Sequence, residues 1–363
     1  MARKMISVNR ELFNKLKQLL PLGVSAEASS PNRWIETTNE EKKWLKDVKF
    51  QTDSDLKFGN QKSLALASLE STNYLISIGL EIDLPQDDFD EVLVNAGAFC
   101  AAVNDLDIEP IGGEAIGLEL LENIFTPAEV IGKGVSYPLE AVVKYFPQVR
   151  MFQIKTGSPL LKPEPCLFQV ALFAVTRCTG LITLNWTSTG LENARAISSA
   201  QKPFLPFELV LRAIIERKNT HAFLELYRCI EFLFPFPKIN ELKTRLALTL
   251  STVELSESVE TILGWRPTED SALQRLFRTL PSEIIAAFQQ ALLLEAYQGT
   301  SLCSKVADVL YKLRNDCVHF RPIQRMSTLQ LSVKWDLLLQ TMLLAISSLY
   351  ASELDAIAEV SPE

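Results

Sequence analysis

Histidine is nearly missing from this chain. His221 and His319 are the only two in 363 residues, so any proton transfer by imidazole or any histidine metal ligand must come from them. The six cysteines, Cys100, Cys166, Cys178, Cys229, Cys303 and Cys317, contain no C-x-x-C pair and lie mostly in apolar runs. Zinc sites of the usual spacing are therefore not expected, and no other metal or cofactor is called for. The thiols read as reduced and buried, as in a cytoplasmic protein. Glycine-rich phosphate loops are lacking too, because neither Gly112-Gly113 nor Gly132-x-Gly134 continues into one. The longest apolar run near the C-terminus, residues 337–350, is fourteen residues long and contains Gln340 and Thr341, too short to span a bilayer. Charges at Arg10, Glu11, Lys15 and Lys17 break up the N-terminal stretch, so a signal peptide is not expected there.

Positive charge is absent from one long segment. Between Ser63 and Gly132 there is no Lys, Arg or His, while fourteen Asp and Glu residues occur from Glu70 to Glu129. With a net charge of −8, the chain as a whole does not read as a general nucleic-acid binder. The acidic segment would repel phosphate and attract a basic partner; the plainer expectation is a solvated acidic surface. Within it, Asp87, Asp88, Asp90 and Glu91 do not have calcium-loop spacing and read as a solvated loop.

The 47% hydrophobic and 22% charged content is that of a globular protein, and the length allows two domains. Residues 5–20 carry Ile6, Leu12, Phe13, Leu16, Leu19 and Leu20 at helical spacing and predict an amphipathic helix docked on the body. Residues 36–57 predict a partly exposed helix or hairpin. From residue 149 the pattern becomes strand-like: 151–155, then 167–177 and 181–189 joined at Thr179-Gly180 as a hairpin. Gln153-Ile154-Lys155 in the first of these resembles the end of the metal-dependent nuclease motif of restriction-type enzymes, without a matching Pro-Asp upstream.

After Pro203 and Pro206 the pattern is helical. It predicts helices at 207–217, 221–234, 240–255, 271–280, 281–297, 301–320 and 327 to about 354. The last has so wide an apolar arc that burial on two sides is expected, with a second subunit as one cover. The change of pattern at 198–206 predicts two domains, 1–200 and 201–363. The fold class is α+β and mainly α: a mixed N-terminal region with a small antiparallel sheet, then an all-helical bundle.

One stretch of this bundle concentrates chemistry. In a helix over 301–320, Val306, Val309, Leu310, Leu313, Cys317 and Phe320 share one face, while Asp308, Lys312, Asn315 and His319 share roughly the opposite one. The plain reading is a solvated polar face. Arg314, Asn315 and His319 nevertheless form an Arg-Asn-x-x-x-His motif, preceded by an apolar helix and followed by an aromatic residue. In this the region of about 205–355 resembles the HEPN superfamily, helical domains that are often ribonucleases and carry an arginine, then commonly a polar residue, then a histidine.

The resemblance implies a metal-independent endoribonuclease with a composite site in a homodimer. Arg314 would stabilise the transition state, His319 would transfer protons and Asn315 would orient them. Several relatives carry an acidic residue on an earlier helix that contacts the motif, and Glu231 is the candidate. Its plainer reading is a surface glutamate paired with Arg228, and His221 reads as a capping or surface residue. Lys312 and Arg321, with Lys305 and Arg325, make the region locally basic, which suits contact with an RNA backbone. Relatives under antitoxin control commonly have a tyrosine where Arg321 stands, so modification there is not available. What remains resembles bacterial abortive-infection proteins acting against phage, with the acidic N-terminal region as a docking place for a phage- or operon-encoded partner. The alternative is a catalytically silent HEPN-like module for binding or assembly in a defence or toxin–antitoxin complex.

Overall fold

A computed structural model describes residues 3–21, 33–59, 61–125, 134–161, 164–178, 180–200, 205–297, 299, 301–318 and 328–357. The chain divides into two compact units, Met1–Thr179 and Gly180–Glu363. Helix predominates, and the main sheet is small and antiparallel.

The first unit holds β1 (Arg33–Ile35), β2 (Lys49–Gln51), β3 (Ser63–Leu69), β4 (Thr72–Ile78), β5 (Phe89–Val92), β6 (Val135–Tyr137) and β7 (Val149–Ile154). Five of them form an antiparallel sheet in the order β2-β3-β4-β7-β5, and β1 pairs with β6 in parallel. The central hairpin β3–β4 turns on Glu70-Ser71, with Leu69 opposite Thr72 and Glu70 at a left-handed φ of 54°. Leu64 to Ala67 and Tyr74 to Ile78 are buried without alternation, as strands covered on both faces must be.

Six helices of this unit can be placed: α1 (Met5–Lys17), α2 (Asn39–Asp47), α3 (Ala96–Asp105), α4 (Glu114–Leu120), α5 (Leu139–Val143) and α6 (Leu167–Val175). α1 docks through Val8, Leu12, Phe13 and Leu16, as its periodicity predicts, and the buried Asn9 accepts a hydrogen bond from the Ile35 amide at 2.9 Å. Glu41 closes a capping box with Thr38 at the start of α2 and also accepts from the Ala96 amide that opens α3. The two helices meet so closely that a Cβ at Gly97 would lie 1.8 Å from the Glu41 carbonyl oxygen, so only glycine fits.

The hairpin expected over 167–189 does not exist. Residues 167–175 form α6, with Val170 to Val175 buried in succession. A short apolar run buried on all sides has no period to separate helix from strand, and its alanines and leucines favour helix. Residues 181–187 make no strand, and Thr187 caps the next helix by accepting from the Gly190 amide.

The second unit consists of α7 (Ser188–Ser199), α8 (Phe207–Ile215), α9 (Asn219–Glu231), α10 (Phe236–Leu246), α11 (Thr252–Leu263), α12 (Glu269–Phe277), α13 (Ser282–Ala291), α14 (Leu302–Val318), α15 (Thr328–Ser332) and α16 (Trp335–Ile357). The division between units falls before α7, which packs on α8 and α16, and so ahead of the pattern change at 198–206. The helix expected over 240–255 is two: Ala247 turns left-handed at φ 49°, and a Ser251–Glu254 capping box starts α11. Pro235 and Pro237 sit where α10 begins, the position at which proline's missing N–H costs nothing. The long last helix is broken at 333–334 into α15 and α16. In α16, Leu338, Leu339, Met342, Leu343, Ile346 and Leu349 are buried, and α7, α9 and α13 pack against it. Its wide apolar arc therefore needs no second subunit. Tyr350 anchors α16 by donating to the Cys229 carbonyl of α9 at 2.9 Å.

Candidate active site around Arg314

α14 buries Val306, Ala307, Leu310 and Leu313, while Val309 and Cys317 are only partly covered. Asp308 and Lys312 are exposed on the other side, and Arg314 and Asn315 are intermediate. His319, Phe320, Arg321 and Arg325 lie outside the described residues.

Arg314 leaves the flank of α14 and crosses to two carboxylates. Its Nη2 donates to Glu231 Oε1 of α9 at 3.2 Å and lies 3.7 Å from Glu269 Oε1 at the start of α12. Its Nη1 donates to Asn315 Oδ1 at 3.1 Å, which fixes the fork of the guanidinium on its own helix. Glu231 is thus not paired with Arg228, which bonds Glu225 at 2.7 Å instead. Its position at the C-terminal end of α9, partly buried, brings it to the motif arginine across 83 residues of sequence.

Burial pushes the Glu231 carboxyl up from its usual range, since desolvation penalises the charged form; Arg314 opposes this and Glu269 adds to it. Tyr227, one turn before Glu231 on α9, is 1% exposed. Its hydroxyl has no hydrogen-bond partner among the described residues, and neither has the buried Glu269 Oε2. Burial holds the Tyr227 phenol protonated, and Glu231, Glu269 and Arg314 are the charges nearest it in effect. Tyr227 and Glu269 are both missed by motif reasoning. The spacing of Tyr227 and Glu231, four apart on one helix, was a usable signal for the first; nothing local marks the second.

A cavity of about 430 Å³ opens over this cluster, between the end of α9, the starts of α10 and α12 and the length of α11. Glu231, Glu269 and Arg314 share its wall with Glu257, Glu260 and Arg266, and Phe232, Phe234 and Phe236 supply apolar surface. Arg266 donates to Glu260 from Nε at 2.7 Å. The wall carries more negative than positive charge. Such a site holds and orients a guanidinium, offers a carboxyl group of raised pKa for proton transfer, and favours cations over anions entering it.

His221 is about half exposed near the start of α9, its Nδ1 3.6 Å from Glu216. None of the six cysteines forms a disulfide; Cys100, Cys178 and Cys229 are buried, and burial pushes the Cys100 thiol up to about 12.

In the first unit the one-sided acidic segment is answered by bases from outside it. Asp105 pairs with Arg3, Asp107 with Lys15 at 2.6 Å, Glu109 with Lys15 at 2.5 Å, Glu70 with Lys43 and Glu119 with Lys144. Arg150 forks onto Glu91 with bonds of 2.7 and 2.9 Å, and that contact holds the Glu91 carboxyl below its usual range. The cluster read as a solvated loop is tied down as well: Ser158 donates to Asp88 at 2.7 Å, and Lys155 Nζ lies 3.0 Å from Asp90. Asp90 is also the register partner of Gln153 across β5 and β7. Among the described residues no group of three or more His, Cys, Asp or Glu side chains is arranged to hold a metal ion, and no helix is long and apolar enough to cross a membrane. No protein-family model, curated protein or solved structure matches the chain.

Proposed function

We propose that the second unit is a HEPN-like endoribonuclease, acting without a metal, and that it serves in defence against phage. The observation that supports this reading is Arg314 itself: a partly buried arginine on α14, fixed by Glu231 from α9 and by Asn315, five residues before a histidine. RNA cleavage of this kind joins the 2′-oxygen to phosphorus and breaks the bond from phosphorus to the 5′-oxygen, leaving a 2′,3′-cyclic phosphate and a 5′-hydroxyl. A base must take the 2′-hydroxyl proton and an acid must supply one to the leaving oxygen. Histidine suits both roles, with an unperturbed pKa of about 6.5. Arg314 meets the charge that builds on the phosphoryl oxygens, and Glu231 positions it.

Two carboxylates on one guanidinium leave a single site with no surplus of positive charge. The reading therefore requires cations from elsewhere: Lys312 and Arg321 of the same chain, and the motif of a second copy across a two-fold axis, which brings two arginines and two histidines to one phosphate. The test is RNA cleavage by the purified protein in excess EDTA, beside His319→Ala and Arg314→Ala. Cleavage to 2′,3′-cyclic ends is expected, with losses of about 10²–10³-fold in the arginine variant. Inactivity of the wild type on all RNAs, with phage protection that survives both substitutions, favours a silent binding module instead.

One further observation favours a second reading, a metal-dependent nuclease at the edge of the sheet: the pairing of Asp90 with Gln153, and Lys155 beside Asp90. The fit is incomplete, because Glu91 is committed to Arg150 and Asp90 is paired with Lys155, which leaves fewer carboxylates than such ions ordinarily take. Cleavage that appears only with Mg²⁺ and vanishes in Lys155→Ala marks that reading.

A further inference from the structure

We infer that Glu269 is an autoinhibitory occupant of the phosphate place on Arg314, which an entering RNA phosphate must displace. The inference rests on the reading of Arg314 as the arginine that meets the phosphate. A guanidinium binds phosphate best through two N–H groups side by side. Here both terminal nitrogens are already engaged: Nη1 donates to Asn315, Nη2 donates to Glu231 at 3.2 Å, and Glu269 crowds Nη2 at 3.7 Å. Arg314 and Glu269 both line the cavity wall, so an anion arriving from the cavity meets a carboxylate at the cation it needs. Two carboxylates on one guanidinium leave the cluster with a net negative charge, and withdrawing one of them makes it neutral.

Of the two carboxylates, Glu269 is the one placed to leave. Its contact with Arg314 is the longer, beyond hydrogen-bond distance, whereas Glu231 is hydrogen-bonded. Its side chain is also the more exposed, 39% against 27%. Oε2 of Glu269 is buried without a hydrogen bond among the described residues, so its present position leaves an acceptor unmet. The helix dipoles point the same way. Glu269 is the first residue of α12, where the positive end of the helix favours a carboxylate whether or not Arg314 is near. Glu231 is the last residue of α9, where the negative end disfavours it and Arg314 compensates. α12 itself is held in place: Gln274 donates to Asp308 of α14 at 2.8 Å, and Leu273, Leu276 and Phe277 are buried. Release is therefore a rotation of one side chain.

The test is binding of a short labelled 2′-O-methyl RNA, which has no 2′-hydroxyl to react, to the full chain by fluorescence anisotropy, beside cleavage of ordinary RNA in EDTA. Glu269→Gln removes the charge at the same volume, and Glu269→Asp keeps the charge but draws it back from Arg314. Glu257→Gln removes a charge from the same wall that has no ion pair with Arg314 among the described residues. Binding about tenfold tighter in Glu269→Gln, and changed no more than about twofold in Glu257→Gln, supports the inference, provided the gain is lost when Arg314→Ala is added. It is overturned if Glu269→Gln gains no more than Glu257→Gln, if the gain persists without Arg314, or if neither wild type nor Glu269→Gln binds the RNA up to about 100 μM. Should Arg314→Ala fail to fold, Glu269→Asp decides: tighter binding supports the inference, and unchanged binding overturns it. The failures of the two readings are separable. Arg314-dependent cleavage by wild type, without a gain in Glu269→Gln, leaves the ribonuclease and removes the autoinhibitory contact. An Arg314-dependent gain in binding, without cleavage by any variant, does the reverse.

Discussion

The two units handle carboxylates in opposite ways. In the first, acidic residues crowd the sequence but not the structure: Asp105, Asp107, Glu109, Glu70, Glu119 and Glu91 each meet a base from outside the segment, at or near the surface. In the second, Glu231 and Glu269 stand far apart in sequence, yet both reach one arginine. The first arrangement pairs part of its charge at the surface. The second leaves an excess of it in a cavity, where burial magnifies each interaction. A conspicuous run of one sign is therefore a poor guide to function, and a local imbalance at a partly buried cation is a better one.

That contrast is open to attack in order of expected effect. Removing the shared cation should hurt most. Arg314→Ala leaves Glu231 and Glu269 facing each other, and urea unfolding should show a loss of about 2–3 kcal/mol, below the range for fully buried pairs because the groups are partly exposed. Part of the loss should return as the pH is lowered toward the carboxylate range. An unchanged midpoint at neutral pH means the three groups are not coupled.

Next comes pH. Glu231 is pushed up in the folded state, so between the ordinary carboxylate value and its raised value the folded chain holds more protons than the unfolded one. Stability should fall as pH rises through that window, and Glu231→Gln should remove this slope. Glu91 is pushed down by Arg150, so it works in reverse: its stabilisation is present above the unfolded carboxylate pKa and is lost as pH falls through the folded one. Glu91→Gln should flatten the acid limb alone, at a cost of no more than about 1 kcal/mol at neutral pH for so exposed a pair. Slopes of the same sign in the two variants would erase the distinction between the units. The smallest effect is that of salt. Raising it to about 0.5 M should weaken the surface pairs of the first unit and leave the Arg314 cluster nearly unchanged, since screening acts chiefly through solvent. Thermal scans of Arg150→Met and Arg314→Ala at both salt levels compare the two.

Helices with one apolar face could be read directly from spacing: α1, α8, α9, α12 and α14 stand close to where periodicity puts them, while α13 ends six residues before the expected 297. Elements buried on every side could not. β3 and β4 show no alternation, and their turn uses Glu70-Ser71 in place of the glycine turn that announces a hairpin. α6 failed for the same reason in the other direction. Of the site, Arg314 was legible from its motif, and Glu231 only through the resemblance that calls for an acidic residue on an earlier helix, since its plainer reading paired it with Arg228. Glu269 was not, because only the packing of α12 on α14 brings it there, and no local pattern encodes that approach.

The proposed ribonuclease would act at the imbalanced cluster around Arg314 and not at the acidic loop of the first unit. The direct measurement is cleavage of a labelled RNA in EDTA and in Mg²⁺, by wild type, by Arg314→Ala, and by a variant with Asp87, Asp88, Asp90 and Glu91 changed to their amides. The proposed function predicts cleavage in EDTA that is lost with Arg314 and kept when the loop is neutralised. Cleavage confined to Mg²⁺, kept in Arg314→Ala and lost in the loop variant, would contradict it.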